Sequence, residues 1–253
     1  MGDKMDALTI KKMDVKLALD GIITCVIGPS NAGKTYLLKK LCNKVNNDDV
    51  FIDDVSINEY DITFLKNNIC MVLNDDLYYS EYVFEELVYH LTELSYRMDE
   101  AIDKAENIAK YFKITDLMHD RLDNIVLSKR ILVKILSYLI INPKILGIDN
   151  LLSYLTNDDK ELLIKFIRDE NINLINVTSN TEDLLFSDDV IVMNEGKCVL
   201  SGNYRAVFDG NSILPYMGLN LPFVVELSQN LILYNMIDEV YVDNRKLVDS
   251  IWK

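Results

Sequence analysis

Short apolar runs and longer stretches of helical periodicity alternate along this chain. The runs are rich in β-branched residues and too short for helices, which favours strands buried on both faces. They cover residues 22–27, 50–52, 69–73, 144–149 and 173–177. Elsewhere, for example from Phe84 to Leu91, apolar side chains recur at i, i+3, i+4 and i+7, the core-facing stripe of an amphipathic helix. Strands that alternate with helices predict an α/β fold with a mostly parallel sheet core.

The remaining segments predict a helical insertion, an edge strand, a hairpin and a C-terminal extension around this core. Residues 75–141 are helical in pattern throughout, and a helix from Lys129 is predicted to end at Asn142-Pro143, where proline cannot continue it. Residues 7–20 are weakly patterned and predict one edge strand. Near the end, residues 190–193 and 197–200 predict a hairpin joined by Asn194-Glu195-Gly196. The chain from about residue 207 predicts loops and short helices.

Length and charge narrow the classes of function. A chain of 253 residues can form one large α/β domain with a small appendage. Its formal net charge of −14 argues against nucleic acid as a partner, because phosphate backbones are bound by clustered Lys and Arg. The same charge disfavours direct binding to an anionic lipid surface. Acidic runs such as Asn47-Asp48-Asp49 and Asn157-Asp158-Asp159 predict solvated loops or helix starts.

The cysteine, histidine and apolar patterns give no sign of secretion, of a metal cluster or of a membrane span. The four cysteines lack C-x-x-C spacing, and Cys25 and Cys70 lie in predicted strands, which indicates buried free thiols in a reducing compartment. His90 and His119 lack metal-ligand spacing and are interpreted as ordinary surface or helix residues. The most apolar run, Ile131 to Ile141, is about half as long as a membrane span and predicts a buried helix. Charged residues interrupt the early apolar positions, so no signal peptide is predicted and any membrane association is expected to pass through another protein.

The first apolar run leads directly into a phosphate-binding motif. Gly28 to Thr35 reads GPSNAGKT and fits G-x-x-x-x-G-K-[ST], with a strand before it and a helix after it, as a phosphate loop requires. Glycines let successive N–H groups point inward at an anion, and the helix N-terminus adds positive potential. Lys34 can reach the β- and γ-phosphates, and the Thr35 hydroxyl can ligate Mg²⁺. The candidate ATP-binding residues are Gly28, Pro29, Ser30, Asn31, Ala32, Gly33, Lys34, Thr35 and Tyr36. The alternative, a chance match in a glycine-containing turn, is disfavoured by the flanking pattern.

Two further side chains are candidates for the metal side of this site. Asp149 ends a buried strand and is the natural second carboxylate beside Mg²⁺, since ligands bind at the carboxyl ends of such strands. A helix cap or turn former is the structural alternative for Asp149. Asn74 also ends a strand and can approach the metal or a water, although a turn residue is the alternative there. Thr35, Asp149 and Asn74 are therefore the predicted Mg²⁺ residues.

With these features in view, the chain resembles the ATP-binding cassette (ABC) proteins over nearly its whole length. Within them it looks most like the ATPase subunits of energy-coupling factor (cobalt- and vitamin-type) importers. Three stretches carry this likeness: 142–146 before Asp149, the hairpin 190–197, and Gly218-Leu219-Asn220-Leu221-Pro222. The resemblance implies a P-loop NTPase of ABC type in residues 1–206, with a helical subdomain at about 75–141. It also implies a C-terminal extension, 207–253, that takes part in dimerisation.

The chain departs from the family pattern at the positions that perform hydrolysis. No intact catalytic residue remains, because Asn150 stands at the expected glutamate and Ser179 at the expected switch histidine. The LSGGQ signature is replaced at Val126, Leu127, Ser128 and Lys129. Asn74 replaces the Q-loop glutamine, and residues 1–35 contain no aromatic residue that could stack on adenine. Lys129 and the helix N-terminal amides are expected to substitute in part for the signature.

The resemblance predicts an ATP-binding subunit that uses Mg²⁺ and hydrolyses weakly or not at all. Such a subunit pairs with a second ABC ATPase subunit, identical or different. It docks on a transmembrane scaffold protein at the cytoplasmic face of the cell membrane, through the helical block after Asn74. One alternative is a pseudo-ATPase scaffold with a vestigial nucleotide site. Another is an unrelated phosphate-loop enzyme such as a small-molecule kinase. A kinase lid rich in arginine is not evident, since residues 75–141 contain Arg97, Arg121 and Arg130 alone.

Overall fold

Two sheets and several helices make up the structure. The computed structural model describes residues 5–43, 45–203, 207–208 and 213–252. The strands are β1 Ala7–Ile10, β2 Val15–Ala18, β3 Ile23–Ile27, β4 Val50–Ile52, β5 Val55–Ser56, β6 Ile69–Val72, β7 Ile145–Asp149, β8 Asn173–Val177, β9 Asp189–Asn194 and β10 Lys197–Asn203. The helices are α1 Lys34–Leu41, α2 Ile62–Asn68, α3 Val83–Glu93, α4 Met98–Tyr111, α5 Leu127–Leu139, α6 Asn157–Asp169, α7 Ile213–Tyr216, α8 Phe223–Leu233 and α9 Asn244–Ile251.

The larger sheet has six strands in the order β10-β9-β3-β8-β7-β6. Every neighbouring pair is parallel except the β9–β10 hairpin, which is antiparallel. The hairpin turns at Glu195 and Gly196, both with positive φ, as the primed two-residue turn requires. The predicted mostly parallel core and terminal hairpin are confirmed. The carboxyl ends of β6, β7, β8 and β3 consequently lie side by side along one edge, where ligands bind in such sheets.

The smaller sheet corrects the prediction for residues 7–20. Instead of one edge strand, β1 and β2 form an antiparallel pair, and β1 also pairs with β4 in the sheet β2-β1-β4-β5. A 3-10 turn at Lys11–Met13 ends in Asp14 with φ 54°, a left-handed conformation that reverses the chain. Aspartate tolerates this conformation better than most residues, which explains how so short a segment makes two strands.

The helical subdomain is less continuous than its sequence pattern. Residues 75–141 were predicted to be helical throughout, but α3, α4 and α5 are separated by loops and 3-10 turns. Residues 74–82 precede the first helix without helical structure, and Tyr82 forms a bridge with Arg121. The last helix begins at Leu127, two residues before the predicted Lys129. The loops between these helices also contain apolar side chains that pack on the same core. Their sequence therefore shows some of the periodicity expected of a helix.

Three buried clusters hold these layers together. The first lies between the six-stranded sheet and the helices of residues 83–139, and the second lies between the two sheets around α1. The third joins Val190 and Val192 of β9 to Leu214, Val225 and Leu247 of the C-terminal helices. Residues 213–252 therefore fold onto the sheet rather than forming a core of their own. The predicted boundary at residue 206 lies outside the described residues.

Two smaller expectations concern thiols and membrane helices. Cys25 and Cys70 are buried free cysteines, as predicted. Burial raises the pKa of each of these thiols to about 12. Within the described ranges, no helix combines the length and the apolar character needed to cross a membrane.

Candidate functional site

The phosphate loop, Gly28 to Thr35, connects β3 to α1 and is braced by the β9–β10 turn. A Cβ atom on Gly28 would lie 2.2 Å from the carbonyl oxygen of Met193, so no larger residue fits there. Gly33 has φ +93°, and a Cβ atom on it would lie 3.0 Å from the Cα atom of Gly196. The Gly196 N–H donates to the Ala32 carbonyl at 3.0 Å. Both motif glycines are thus required by the local geometry.

Lys34 lies across this loop. Its ammonium donates to the Gly28 carbonyl at 2.7 Å and to the Pro29 carbonyl at 2.9 Å. Burial lowers the pKa of Lys34, and the negative charge of Asp149 opposes that shift. A cation partly removed from water and directed at the loop can bind a phosphate oxygen.

Thr35 and Asp149 meet at the metal side of the site. The Thr35 hydroxyl donates to Asp149 Oδ1 at 3.0 Å, although the two residues come from separate parts of the chain. Burial raises the pKa of Asp149, while the Thr35 hydroxyl and the Asn74 backbone N–H lower it. The main chain of Asn74 thus lies near Asp149, and Asn74 is exposed. The hydroxyl and carboxylate oxygens are ligands that Mg²⁺ accepts, so these residues fit a Mg²⁺ ion.

Asn150 and Ser179, the residues at the expected glutamate and histidine positions, bond to each other. Asn150 Oδ1 accepts from the Ser179 N–H at 3.2 Å and from the Ser179 hydroxyl at 3.1 Å. Asn150 has φ 53°, a left-handed conformation that asparagine tolerates. Their strands, β7 and β8, are neighbours, so Asp149 is directly opposite Val177. The carboxamide oxygen of Asn150 therefore already accepts hydrogen bonds from within the chain.

Buried polar contacts also fix the segment after Val177. Buried Asp183 accepts from the Thr178 hydroxyl at 2.7 Å and from the Lys160 ammonium at 2.9 Å. This ion pair links α6 to Asp183, which in turn binds Thr178, the residue before Ser179. The position of Ser179 thus depends on a buried charged contact.

The segment at the signature position has an apolar surface. Val126 is the N-cap of α5 without a side-chain cap bond, and Val126 and Leu127 are 67% and 49% exposed. Neither side chain offers a hydrogen bond to a phosphate. Lys129 donates to Asp159 Oδ1 at 2.7 Å, and Asp159 is buried. The expectation that Lys129 partly replaces the signature therefore meets a competing contact inside the same chain.

The chain is similar to known proteins in both sequence and fold. A profile of the ABC transporter family matches residues 10–153, which is more than half of the chain. The chain belongs to the ABC transporter family. Its resemblance to energy-coupling ATPase subunits is confirmed as well. It is 25% identical over 241 residues to the energy-coupling factor transporter ATP-binding protein EcfA1 of Mycoplasma pneumoniae, covering 92% of this chain and 86% of that relative.

Solved ABC structures confirm the predicted fold class. One is cbiO1 from Clostridium perfringens, described as part of the ABC transporter complex cbiONQ, with a TM-score of 0.69 and 22% identity. That match covers 85% of this chain and 91% of cbiO1. Another is the ATP-binding cassette MJ0796, described as a dimeric post-hydrolysis state bound to ADP and Pi, with a TM-score of 0.65 and 19% identity. It covers 76% of this chain and 90% of MJ0796.

The structure also adds residues that sequence reasoning missed in this ABC protein. Residues 157–159 begin α6, in agreement with the predicted helix start, but Asp159 is buried and ion-paired to Lys129. Asp49 is likewise buried and ion-paired rather than solvated. Asp75, directly after Asn74, pairs with Lys39 of α1 at 2.9 Å. The sequence signal for Asp75 was its place at a strand end. His90 lies on α3 as predicted for a helix residue, but burial among aromatic rings lowers its pKa to about 4.

Proposed function

We propose that this chain is the ATP-binding subunit of an energy-coupling-type ABC transporter, and that it binds Mg-ATP and hydrolyses it weakly or not at all. The observation that carries the proposal is the contrast within one site. Lys34, Thr35 and Asp149 keep a geometry suited to a metal-bound triphosphate. Asn150 and Ser179, in contrast, replace the two groups that act in hydrolysis and bond to each other. The EcfA1 relative supports the assignment to the energy-coupling type.

Each retained residue has a defined part in binding. Lys34 exchanges the Gly28 and Pro29 carbonyls for the β- and γ-phosphates, and the amides of the phosphate loop and of α1 face the same anion. The Thr35 hydroxyl and the Asp149 carboxylate are the groups that would hold Mg²⁺. Bound Mg²⁺ neutralises phosphate charge. Tyr36 contributes its backbone N–H, as the residue that follows Thr35 at the helix N-terminus.

Hydrolysis is slow for a chemical reason. A carboxamide cannot accept a proton from water as a carboxylate does, and Asn150 Oδ1 already accepts two hydrogen bonds from Ser179. Ser179 also stands where the family has a histidine, so no imidazole is present there to contact the γ-phosphate. Loss of one general base costs about a hundred- to ten-thousandfold in rate.

A second cassette completes the assembly. It supplies a signature to this chain's phosphate loop, and this chain presents Val126, Leu127, Ser128 and Lys129 to the partner's loop. Those residues offer an apolar surface and an ammonium that Asp159 already binds. Activity of the dimer therefore depends mainly on groups that the partner provides.

The C-terminal extension, 207–253, is proposed to help in this pairing. Residues 213–252 pack apolar side chains against β9 and also carry large apolar side chains that are exposed. The exposed members are Tyr216, Phe223, Leu233, Tyr234, Met236, Val248 and Trp252. Apolar surface of this extent is typical of a protein contact.

The transmembrane scaffold protein is proposed to dock in a groove beside the helical subdomain. The groove has a volume of 490 Å³ and is lined by residues including Tyr79, Tyr89, His90 and Tyr138. Tyr79 and Tyr89 stack with their ring centroids 4.2 Å apart. Aromatic side chains are favoured at binding interfaces because they bury much area at low entropic cost. Docking here holds the chain at the cytoplasmic face of the cell membrane.

This groove connects to the nucleotide site through residues 74–80. The Lys134 ammonium donates to the Asp76 carbonyl, and the Tyr78 hydroxyl donates to the Arg130 carbonyl at 3.2 Å. The buried carboxylate of Glu86 accepts the N–H groups of Tyr79 and Ser80. The segment is therefore fastened to the helical subdomain directly after Asn74, so movement at one end reaches the other.

Titration of the purified chain with ATP and Mg²⁺ tests the proposal. We expect saturable binding below millimolar ATP, together with phosphate release at or near the rate of a protein-free control. Binding requires the retained Lys34, Thr35 and Asp149, whereas the absent base and imidazole prevent turnover. Isothermal titration calorimetry measures the first quantity and a coupled phosphate assay the second. The absence of binding, or brisk hydrolysis by the isolated chain, contradicts the proposal.

A pseudo-ATPase scaffold is the second candidate, and two observations favour it. Lys34 donates to two of the loop's own carbonyls, and Val126 and Leu127 offer no hydrogen bond to a phosphate at the signature position. The two functions differ in what Lys34→Ala does to transport by the assembled complex. Transport falls if ATP must bind this chain and is unchanged if the chain only docks its partners.

A further inference from the structure

Asp75 lies close to the metal side of the nucleotide site. Its carboxylate accepts from the Lys39 ammonium at 2.9 Å. Lys39 is four residues after Thr35 on α1, so the two side chains share one face of that helix. Asp75 also follows Asn74, whose backbone N–H is near enough to Asp149 to lower the pKa of that carboxyl. Asp75 therefore lies on the same side of the site as Thr35 and Asp149.

The electrostatics of Asp149 agree with this placement. Burial is the main cause of its raised pKa, and the negative charge of Asp75 raises it further, whereas Lys39 lowers it. The carboxylates of Asp75 and Asp149 are thus close enough to interact electrostatically at the edge formed by β6 and β7. Two carboxylates that follow or end adjacent strands, together with one hydroxyl from α1, attract a divalent cation.

Asn74, the residue before Asp75, is the position at which the family places a longer polar side chain. Asn74 is one methylene shorter than the glutamine that the family places there, and its side chain is exposed. Mg²⁺ keeps several of its waters when it binds phosphates, and outer-shell carboxylates accept hydrogen bonds from those waters. A charged side chain one residue further along can act on the cation through its waters.

We propose that Asp75 is a positioning residue for bound Mg²⁺, acting through the metal's waters, and that Lys39 competes with the cation for its carboxylate. This inference rests on the proposed binding of Mg-ATP. The alternative is an exposed ion pair that only fastens the loop to α1, a contact of small energetic effect.

Two substitutions separate these roles because they predict opposite signs. The experiment measures ATP binding by the purified full chain at increasing Mg²⁺ and reports the half-saturating Mg²⁺ concentration. We expect Asp75→Asn to raise that concentration about tenfold, as outer-shell substitutions do. Lys39→Met is expected to lower it, since it frees the carboxylate. Asp75→Glu keeps the charge and is expected to stay near the wild type.

Controls and contrary outcomes complete the design. Asp103→Asn, an exposed acid on α4, removes the same charge away from the site and is expected to leave the Mg²⁺ dependence unchanged. ATP binding in excess EDTA is expected to be no weaker for Asp75→Asn than for the wild type. The inference is overturned if Asp75→Asn has the wild-type Mg²⁺ dependence, or if Asp75→Asn and Lys39→Met shift it in the same direction. If the wild type binds no ATP at any Mg²⁺ concentration, the proposed function fails and this inference fails with it.

Discussion

Lys34→Ala is expected to weaken Mg-ATP binding by the isolated chain about 10- to 100-fold. A hydrogen bond to a charged group contributes about 1.5–3 kcal/mol, and each 1.4 kcal/mol or so is a factor of ten in affinity. Lys34 is the cation that the phosphate loop itself places at the phosphates, where it lies 2.7 Å from the Gly28 carbonyl. Its methyl replacement leaves the loop with backbone amides alone.

The matched control for this variant is Lys165→Ala, which removes an exposed lysine from α6. Both variants change the net charge equally, so a difference between them reports the site and not the overall field. Calorimetric titration at fixed ionic strength gives both affinities, and thermal unfolding shows that each variant is folded. Equal affinities for Lys34→Ala and the wild type would mean that the loop does not hold ATP.

Asp49→Ala is expected to lower the free energy of unfolding by about 3–5 kcal/mol, because it leaves the buried charge of Lys40 without its carboxylate. Lys40 and Asp49 are 3% and 5% exposed and form an ion pair between α1 and the start of β4. Lys40 then retains the Asn46 carbonyl, to which it donates at 2.9 Å, and the Tyr36 ring, whose centroid is 5.4 Å from the ammonium. The helix that follows the phosphate loop thus loses an anchor.

The exposed Arg97–Asp99 pair provides the comparison. Both of its side chains are largely in water, so Asp99→Ala is expected to cost about 0–1 kcal/mol. Urea unfolding followed by circular dichroism measures both costs. If Asp49→Ala costs no more than Asp99→Ala, the buried pair does not stabilise the protein as stated.

The Asp49 effect also carries a pH dependence. Burial alone would raise the pKa of Asp49, but the hydrogen bond and charge of Lys40 bring it below its usual value. The stabilisation is therefore present above the unfolded-state pKa, about 3.9, and is lost as the pH falls toward the folded-state value. The difference in unfolding free energy between the wild type and Asp49→Ala should shrink below about pH 4.

Local patterns predicted the parts of the fold and site that depend on neighbours in sequence. The apolar runs located β3, β6, β7 and β8 to within one residue, because buried parallel strands need continuous apolar side chains. The phosphate loop is equally local, since its glycines, Lys34 and Thr35 lie within eight consecutive positions. Asp149 could be predicted from its place at the end of a buried strand.

Contacts between distant segments could not be predicted in this way. The bond between Asn150 and Ser179 depends on the adjacency of β7 and β8 in the sheet. Asp159 looks like a solvated helix start, yet it is buried by tertiary contacts that also bring Lys129 to it. The reversal at Asp14 depends on one left-handed residue, a conformation that several residue types adopt without a sequence signature.

A crystal structure grown with ATP and Mg²⁺ tests the central claim most directly. We predict an intact triphosphate in the phosphate loop, with the Lys34 ammonium moved from the Gly28 and Pro29 carbonyls to the phosphates and Mg²⁺ beside Thr35 and Asp149. A loop that remains without nucleotide at saturating ATP, with Lys34 still on those carbonyls, would contradict the claim, and so would bound ADP formed by the chain itself.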